Sequence, residues 1–186
     1  MADYIVTDTE LTNIANAIRT KGGTSATLSY PTGFVNAINA VPGGVKYADI
    51  TSASNSISNE FKGNLFITSL YLPGITSLGT SAFEDCSNLV TVHLPAVTSL
   101  PSYGFRNCSK LQTVRLDACT SFSSKVFDDC TKLTAVYLTN TSKVCSLSSS
   151  SIQANTTYKF YVPASLLSSY KAASYWKDIA DRIYSL

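Results

Sequence analysis

The feature that most constrains the fold is a 22-residue repeat that runs without insertion from Leu65 to Leu138. Strict register over this length predicts stacked coils, because one short coil cannot bury its apolar edge without neighbouring coils. We therefore expect an elongated solenoid rather than a closed globular core. The clearest columns of the repeat are Phe83, Phe105 and Phe127; Cys86, Cys108 and Cys130; and Leu72, Leu94, Leu116 and Leu138.

The repeat is altered at both ends of this stretch. Phe61 and Asn64 stand one period before the first phenylalanine and cysteine, so residues 45–65 are predicted to form a degenerate first coil. Tyr158 and Phe160 stand one period after the last Val-x-Leu pair, which predicts the strand of a final coil. Altered end coils are expected in a solenoid, because terminal coils have a neighbour on one side only.

One clean coil carries the pattern Ala82-Phe83-x-x-Cys86-x-x-Leu89-x-x-Val92-x-Leu94-Pro95. This pattern resembles the BspA-type bacterial leucine-rich repeat, and the resemblance covers roughly residues 45–162. It implies an α/β repeat fold, a leucine-rich-repeat solenoid with a parallel sheet on one face. The cysteine column stands before the strand, as is usual in this variant of the repeat.

Two predicted helical regions flank the solenoid. Residues 1–41 read as two short amphipathic helices, and Pro42-Gly-Gly44 forms a linker. Helices this short are not stable alone, so they either cap the first coil or serve as a self-association or attachment module. After the solenoid at 45–162, an apolar stripe in residues 163–186, with a break near Ser174, predicts a C-terminal helical cap over the last strand's open edge. The candidate assembly residues are Leu11, Ile14, Ile18, Phe34 and Ile38.

The N-terminal region carries four short segments, Thr7-Asp-Thr-Glu-Leu11, Ile14-Ala-Asn-Ala-Ile18-Arg19, Lys21-Gly-Gly-Thr24 and Tyr30-Pro-Thr-Gly-Phe34. Together they resemble a module found at the start of many phage and prophage structural proteins, where it precedes diverse C-terminal domains. The resemblance implies a carrier segment rather than a chemistry. It makes tail or virion attachment, or homo-oligomerisation through this module, the expected role.

Strand alternation predicts which side chains leave the solenoid on its sheet face. Tyrosine and arginine are enriched at interaction hot spots, and extended solenoid faces are common binding surfaces. The alternative is a merely solvated face, on which tyrosine reflects strand propensity. The predicted outward central column is Asp49, Tyr71, His93, Arg115, Tyr137 and Lys159, of which the last five are the candidate partner-binding residues.

Composition and missing motifs argue against several classes of function. A net charge of +2 is too small to attract nucleic acid by electrostatics. No apolar run reaches the length of about 20 residues that spans a bilayer. His93 is the only histidine, and the pattern places no activated nucleophile beside it. No Cys-x-x-Cys, His-x-x-x-His or carboxylate cluster suggests a metal site. We expect no enzyme activity, cofactor, metal, nucleic-acid partner or membrane insertion.

The five cysteines predict buried thiols rather than a disulfide framework. Their number is odd, and column cysteines spaced by about 4.8 Å would have parallel Cβ vectors that disfavour a bridge. The N-terminus shows no basic region followed by an apolar region, so a signal peptide is not expected. Production in a reducing bacterial cytoplasm follows from both observations.

The sequence thus predicts a non-catalytic interaction protein of phage or prophage origin, located in a virion or tail. Its sheet face would bind a protein or glycan on a host surface, or another particle protein. One alternative is a BspA-like adhesin that acts at the cell surface outside any virion. The other alternative is a cytoplasmic scaffold or regulator that uses the same face.

Overall fold

The computed structural model describes residues 55–153 and 156–186, which form a solenoid of stacked coils. Each coil places a short strand in one main sheet and, on the opposite return side, a two-residue strand. The main sheet contains β2 (Ser69–Tyr71), β4 (Thr91–Leu94), β6 (Thr113–Leu116), β8 (Ala135–Leu138), β10 (Lys159–Val162) and β11 (Ile183–Ser185), in the order β11-β10-β8-β6-β4-β2. The return side contains β1 (Ser56–Ile57) paired with β3 (Ser77–Leu78), and a sheet of β5 (Ser99–Leu100), β7 (Ser121–Phe122) and β9 (Ser146–Leu147).

The strand register confirms the 22-residue period and the parallel sheet. Tyr71 pairs with His93, His93 pairs with Arg115, and Arg115 pairs with Tyr137, all in parallel strands. Because side chains alternate along a strand, these four residues all lie on the outer face of the sheet.

The register at the last coil differs from the prediction. Lys159 was expected beside Tyr137, but Tyr137 pairs with Tyr161, and Lys159 pairs with Ala135. The prediction is wrong because the chain between β8 and β10 is two residues longer than one period. A shift of two residues preserves alternation, so Phe160 still points inward and is fully buried while Lys159 stays outward.

The phenylalanine column forms a continuous stack through the interior. The ring centroids of Phe61 and Phe83 are 5.5 Å apart, those of Phe83 and Phe105 are 5.4 Å apart, and those of Phe105 and Phe127 are 5.9 Å apart. All four rings are buried, and their planes are nearly parallel. Phe61 therefore occupies the column position that the sequence predicts for the first coil.

The cysteine column ties each coil to the one before it. All five cysteines of the sequence lie in the described part, and each is buried and free. Burial raises the pKa of the Cys86 thiol to about 12, so this thiol is protonated and unreactive at neutral pH. The column thiols donate to backbone carbonyls of the preceding coil, Cys86 to Phe61 at 3.0 Å, Cys108 to Phe83 at 3.2 Å and Cys130 to Phe105 at 3.0 Å.

On the return side, the chain turns at residues in the left-handed conformation. One set of these residues recurs at the same position of the repeat. Gly63, Asp85, Asn107 and Asp129 have φ angles of 72°, 64°, 59° and 57°. Glycine accepts this conformation without cost, and asparagine and aspartate tolerate it better than other residues do. The recurring Asp or Asn before each cysteine thus has a conformational reason.

The C-terminal segment is only partly the helical cap that the sequence predicts. It contains a 3₁₀ helix at Ala164–Leu166, helix α1 at Leu167–Ala172 and a 3₁₀ helix at Lys177–Arg182. The strand β11, rather than a helix, then pairs with β10 and covers its edge. The α-helix ends at Ala172, the chain is extended at Ala173, and Tyr175 is left-handed with a φ angle of 64°.

Trp176 and Tyr170 hold this segment against the solenoid. Both side chains are fully buried, so both belong to the core. The Trp176 indole N–H donates to the Cys145 carbonyl at 2.6 Å, and the Tyr170 hydroxyl accepts from the Cys145 N–H at 3.0 Å. The Trp176 ring also packs edge-on against Phe160 at 4.8 Å. These contacts cover the interior beside the last coil that the structure describes.

Several predictions lie outside the described residues. These are the N-terminal helices, the linker at 42–44, Asp49, and the assembly residues Leu11, Ile14, Ile18, Phe34 and Ile38. In the described ranges, no helix has the length and apolar character needed to cross a membrane.

Candidate interaction surface

One outward residue from each strand of the main sheet forms a continuous row, which we call the sheet-face row. Alternation within each strand points these side chains away from the core, and parallel register places them side by side. The row consists of Tyr71, His93, Arg115, Tyr137, Tyr161 and Tyr184.

Four of the five predicted partner-binding residues belong to this row, namely Tyr71, His93, Arg115 and Tyr137. Lys159 lies on the same face but outside the row, because of the register shift in the last coil. The sequence also missed Tyr184, since residues 183–185 were predicted as helix. The pairing of Tyr161 with Tyr137 and with Tyr184 extends the row to these two residues.

Neighbouring aromatic side chains of the row contact one another across the strands, in one stacked pair and two tilted pairs. The rings of Tyr71 and His93 are 5.1 Å apart, and those of Tyr137 and Tyr161 are 5.0 Å apart with planes only 16° from parallel. Tyr184 continues the series at 5.9 Å from Tyr161. Mutual stacking orders the side chains before any partner binds, which lowers the entropy that binding must remove.

A shallow groove of about 510 Å³ runs over strands β2 to β8. The side chains of Tyr71, His93, Arg115 and Tyr137 all line it. The structure thus brings together four residues that are far apart in sequence. Lys159 does not line the groove.

Asp117, directly after β6, is the hub of the polar contacts in this groove. Its carboxylate lies 2.7 Å from His93 Nε2, 2.9 Å from Arg115 Nε and 2.6 Å from Thr139 Oγ1. Partial burial raises the pKa of Asp117, but the hydrogen bonds from His93 and Thr139 and the charge of Arg115 outweigh burial and lower it overall. At neutral pH the carboxylate is ionised and can only accept hydrogen bonds. In its contact with His93, the Nε2 N–H is therefore the donor.

Sequence reasoning did not identify this hub. The available signal was the spacing of two residues between Arg115 and Asp117, which puts both side chains on one face of the chain. The contacts from His93 and Thr139 cross between strands and depend on side-chain geometry, which the repeat pattern does not encode.

The groove offers binding chemistry in the form of hydroxyls, a guanidinium and aromatic edges. Within residues 55–153 and 156–186, no serine, threonine or cysteine forms a hydrogen bond with His93. The same ranges contain no group of three histidine, cysteine or acidic residues that could hold a metal ion.

A second charged cluster lies on the return side. The Glu84 side chain is only 1% exposed, and it forms ion pairs with Lys62 Nζ at 2.9 Å and with Arg106. Burial raises the pKa of Glu84, but hydrogen bonds from Ser81, Lys62 and Arg106 lower it overall to about 2. The three charged residues come from consecutive coils, so this cluster joins coils rather than offering a free charge to a partner.

The stacked coils, the parallel sheet and the interior columns define a leucine-rich-repeat solenoid. A family model described as "BspA type Leucine rich repeat region (6 copies)" matches residues 55–177. The chain therefore belongs to the BspA-type leucine-rich repeat family, as the sequence resemblance implies. The match to the family model begins at residue 55. It therefore supports the solenoid and the segment that follows it.

Solved structures are similar to this chain over part of their length. A leucine-rich repeat protein from Bacteroides ovatus is 21% identical with a TM-score of 0.52, over 77% of this chain and 43% of that one. A leucine rich cell surface protein from Faecalibacterium prausnitzii A2-165 is 22% identical with a TM-score of 0.47, over 53% of this chain and 28% of that one. This chain thus spans less than half the length of either protein. Curated protein sequences gave no match.

Proposed function

We propose that this protein is a non-catalytic interaction module that binds a partner through the sheet-face row. The observation that carries the proposal is the groove in which Tyr71, His93, Arg115 and Tyr137 converge. Tyrosine and arginine are enriched at interaction hot spots, and a rigid solenoid face presents them without a large ordering cost. Membership of the BspA-type repeat family supports an interaction role of this kind.

The proposed setting is a phage or prophage virion or tail, with the protein made in the bacterial cytoplasm. The support is the resemblance of the N-terminal segments to phage structural proteins. In this setting residues 1–41 attach or oligomerise the protein, and the sheet face binds a host-surface molecule or another particle protein. The repeat family itself favours a second candidate, a BspA-like adhesin at the cell surface.

The binding role is tested by replacing Tyr71, Arg115 and Tyr137 together with alanine in the full chain. Binding to host cells or to purified particles should be lost, while the free energy of unfolding should change by no more than about 2 kcal/mol, since each site is on the outer face. Lys132, which is exposed and outside the row, provides the control, and Lys132→Ala should bind normally. Unchanged binding by the triple variant would show that the partner does not bind at the sheet-face row.

The setting is tested by locating the protein with an antibody in purified particles, washed cells, cytosol and culture medium. Enrichment in particles supports the virion role. Enrichment on washed cells supports the adhesin role, and recovery in the cytosol alone excludes both and leaves a scaffold.

A further inference from the structure

The outer face of the main sheet carries two cations, Arg115 and Lys159, against one carboxylate, that of Asp117 at its edge, so its net charge is positive. Arg115 on β6 and Lys159 on β10 are outward strand residues, and no outward residue of the described strands is acidic. Asp117 lies beside the row, and its charge is already engaged by His93, Arg115 and Thr139. Charge complementarity therefore favours a partner with acidic groups.

Arg115 is the residue best placed to hold such a group. Its side chain is 52% exposed, and its Nε donates to Asp117 at 2.9 Å. The two terminal guanidinium nitrogens have no hydrogen-bond partner in the described part of the chain. A guanidinium fixed through Nε can still offer its terminal N–H groups to a carboxylate, and Asp117 holds it in place for that contact.

The stacked tyrosines favour a polypeptide over a saccharide on this face. Tyr137 and Tyr161 each cover one ring face of the other at a centroid distance of 5.0 Å, and Tyr184 lies 5.9 Å from Tyr161, while the ring edges and hydroxyls remain for a partner. Sugar rings bind aromatic side chains through free ring faces, whereas peptide carbonyls accept hydrogen bonds from hydroxyls. Six strands spaced by about 4.8 Å make the row about 24 Å long, which equals about seven residues of extended chain.

We infer that the sheet-face row takes an extended acidic polypeptide segment, one carboxylate of which binds the Arg115 guanidinium. The inference rests on the proposed function, because it names the chemistry of the partner for the same surface. The segment lies along the row, across the strands, with its backbone carbonyls beside the hydroxyls of Tyr71 and Tyr137. Lys159 supplies a second cation near the far end of the row.

The test uses a fluorescein-labelled, end-blocked heptaglutamate peptide and the full chain, with binding followed by fluorescence anisotropy. Heptaglutamine is the uncharged peptide control. Arg115→Met removes the guanidinium while keeping side-chain length, and Lys132→Met removes an equal charge from an exposed site outside the row. We expect Arg115→Met to weaken heptaglutamate binding about tenfold or more, because a charge-assisted hydrogen bond is lost, and Lys132→Met to leave binding unchanged.

Four results would overturn the inference. Equal binding of heptaglutamine would show that the carboxylates are not recognised, and equal losses in Arg115→Met and Lys132→Met would show that the attraction is not local. Tighter binding of an oligogalacturonate, which carries carboxylates on sugar rings, would make the occupant an acidic glycan. If heptaglutamate fails while the triple alanine variant still loses its natural partner, only this inference falls and the proposed function stands.

Discussion

The interior columns and the sheet-face row share the same coils, yet they differ in how strictly residue type repeats. Inside, phenylalanine recurs at each step, and the rings of Phe83, Phe105 and Phe127 stack along the solenoid. Outside, His93 is followed by Arg115 and then by Tyr137. Coil stacking dictates the inner residue because each ring must fill the space above the last one. Stacking places no such demand on the outer residue, which leaves it free to meet a partner.

The largest expected effect comes from breaking the inner stack. Phe105→Ala should lower the free energy of unfolding by about 3–5 kcal/mol, because a buried ring in contact on both faces leaves a cavity. Tyr137→Ala, in the outer row, should cost about 1 kcal/mol, the value of a cross-strand aromatic pair. Urea denaturation measures both. Similar losses would show that the two regions do not differ as described.

The closing segment gives a smaller expected effect. Trp176→Phe removes the indole N–H and leaves the buried Cys145 carbonyl without this donor, so we expect a loss of about 2 kcal/mol. Tyr175→Phe is the matched control, since Tyr175 is 45% exposed, and should change stability by less than about 0.5 kcal/mol. Thermal and urea denaturation should agree. An unchanged Trp176→Phe variant would mean that the segment does not close the interior.

The return-side cluster gives an effect that depends on pH. Glu84→Gln should cost about 1 kcal/mol at neutral pH, because the exposed heads of Lys62 and Arg106 limit the strength of the ion pairs. Folding lowers the pKa of Glu84 from 4.5 to about 2, so its stabilisation is complete above pH 4.5 and is lost as the pH falls towards 2. The difference between wild type and variant should shrink over that window. A stability difference that stays constant over this pH range would show that the stabilisation does not come from the charge of Glu84.

The smallest expected effect on stability is at Lys159. Its Nζ lies 5.2 Å from the Tyr184 ring centroid, so Lys159→Met should lose about 0.5 kcal/mol through the exposed cation–π contact. The same variant should weaken binding of an acidic partner. Denaturation and anisotropy measure the two effects separately. A large loss of stability would make Lys159 a structural residue and remove it from the proposed surface.

The sequence was sufficient to predict the solenoid, its period and the inward and outward positions of the regular coils. Each regular coil repeats its phenylalanine, its cysteine and the apolar residues of its strand, so the register has no freedom. The last coil lacks those markers, and for that reason its two extra residues could not be located and Lys159 was placed beside Tyr137.

The closing strand was mispredicted for a different reason. Trp176, Ile179 and Ile183 have spacings that suit one face of a helix, but only a 3₁₀ helix forms, at Lys177–Arg182, and a strand follows it at Ile183–Ser185. Ile183 then lies beside Phe160 in the sheet, where a β-branched residue packs well. The Asp117 hub was missed because its contacts with His93 and Thr139 form only after the strands align.

The most direct test of the central claim is site-specific photo-crosslinking in the full chain, made in its producing bacterium. Benzoylphenylalanine replaces Tyr137 in the sheet-face row in one variant and the exposed Lys132 outside the row in another. The account predicts a defined crosslinked partner from position 137 and none from position 132. A partner captured only from position 132, or equally from both, would contradict the claim that the sheet face is the binding surface.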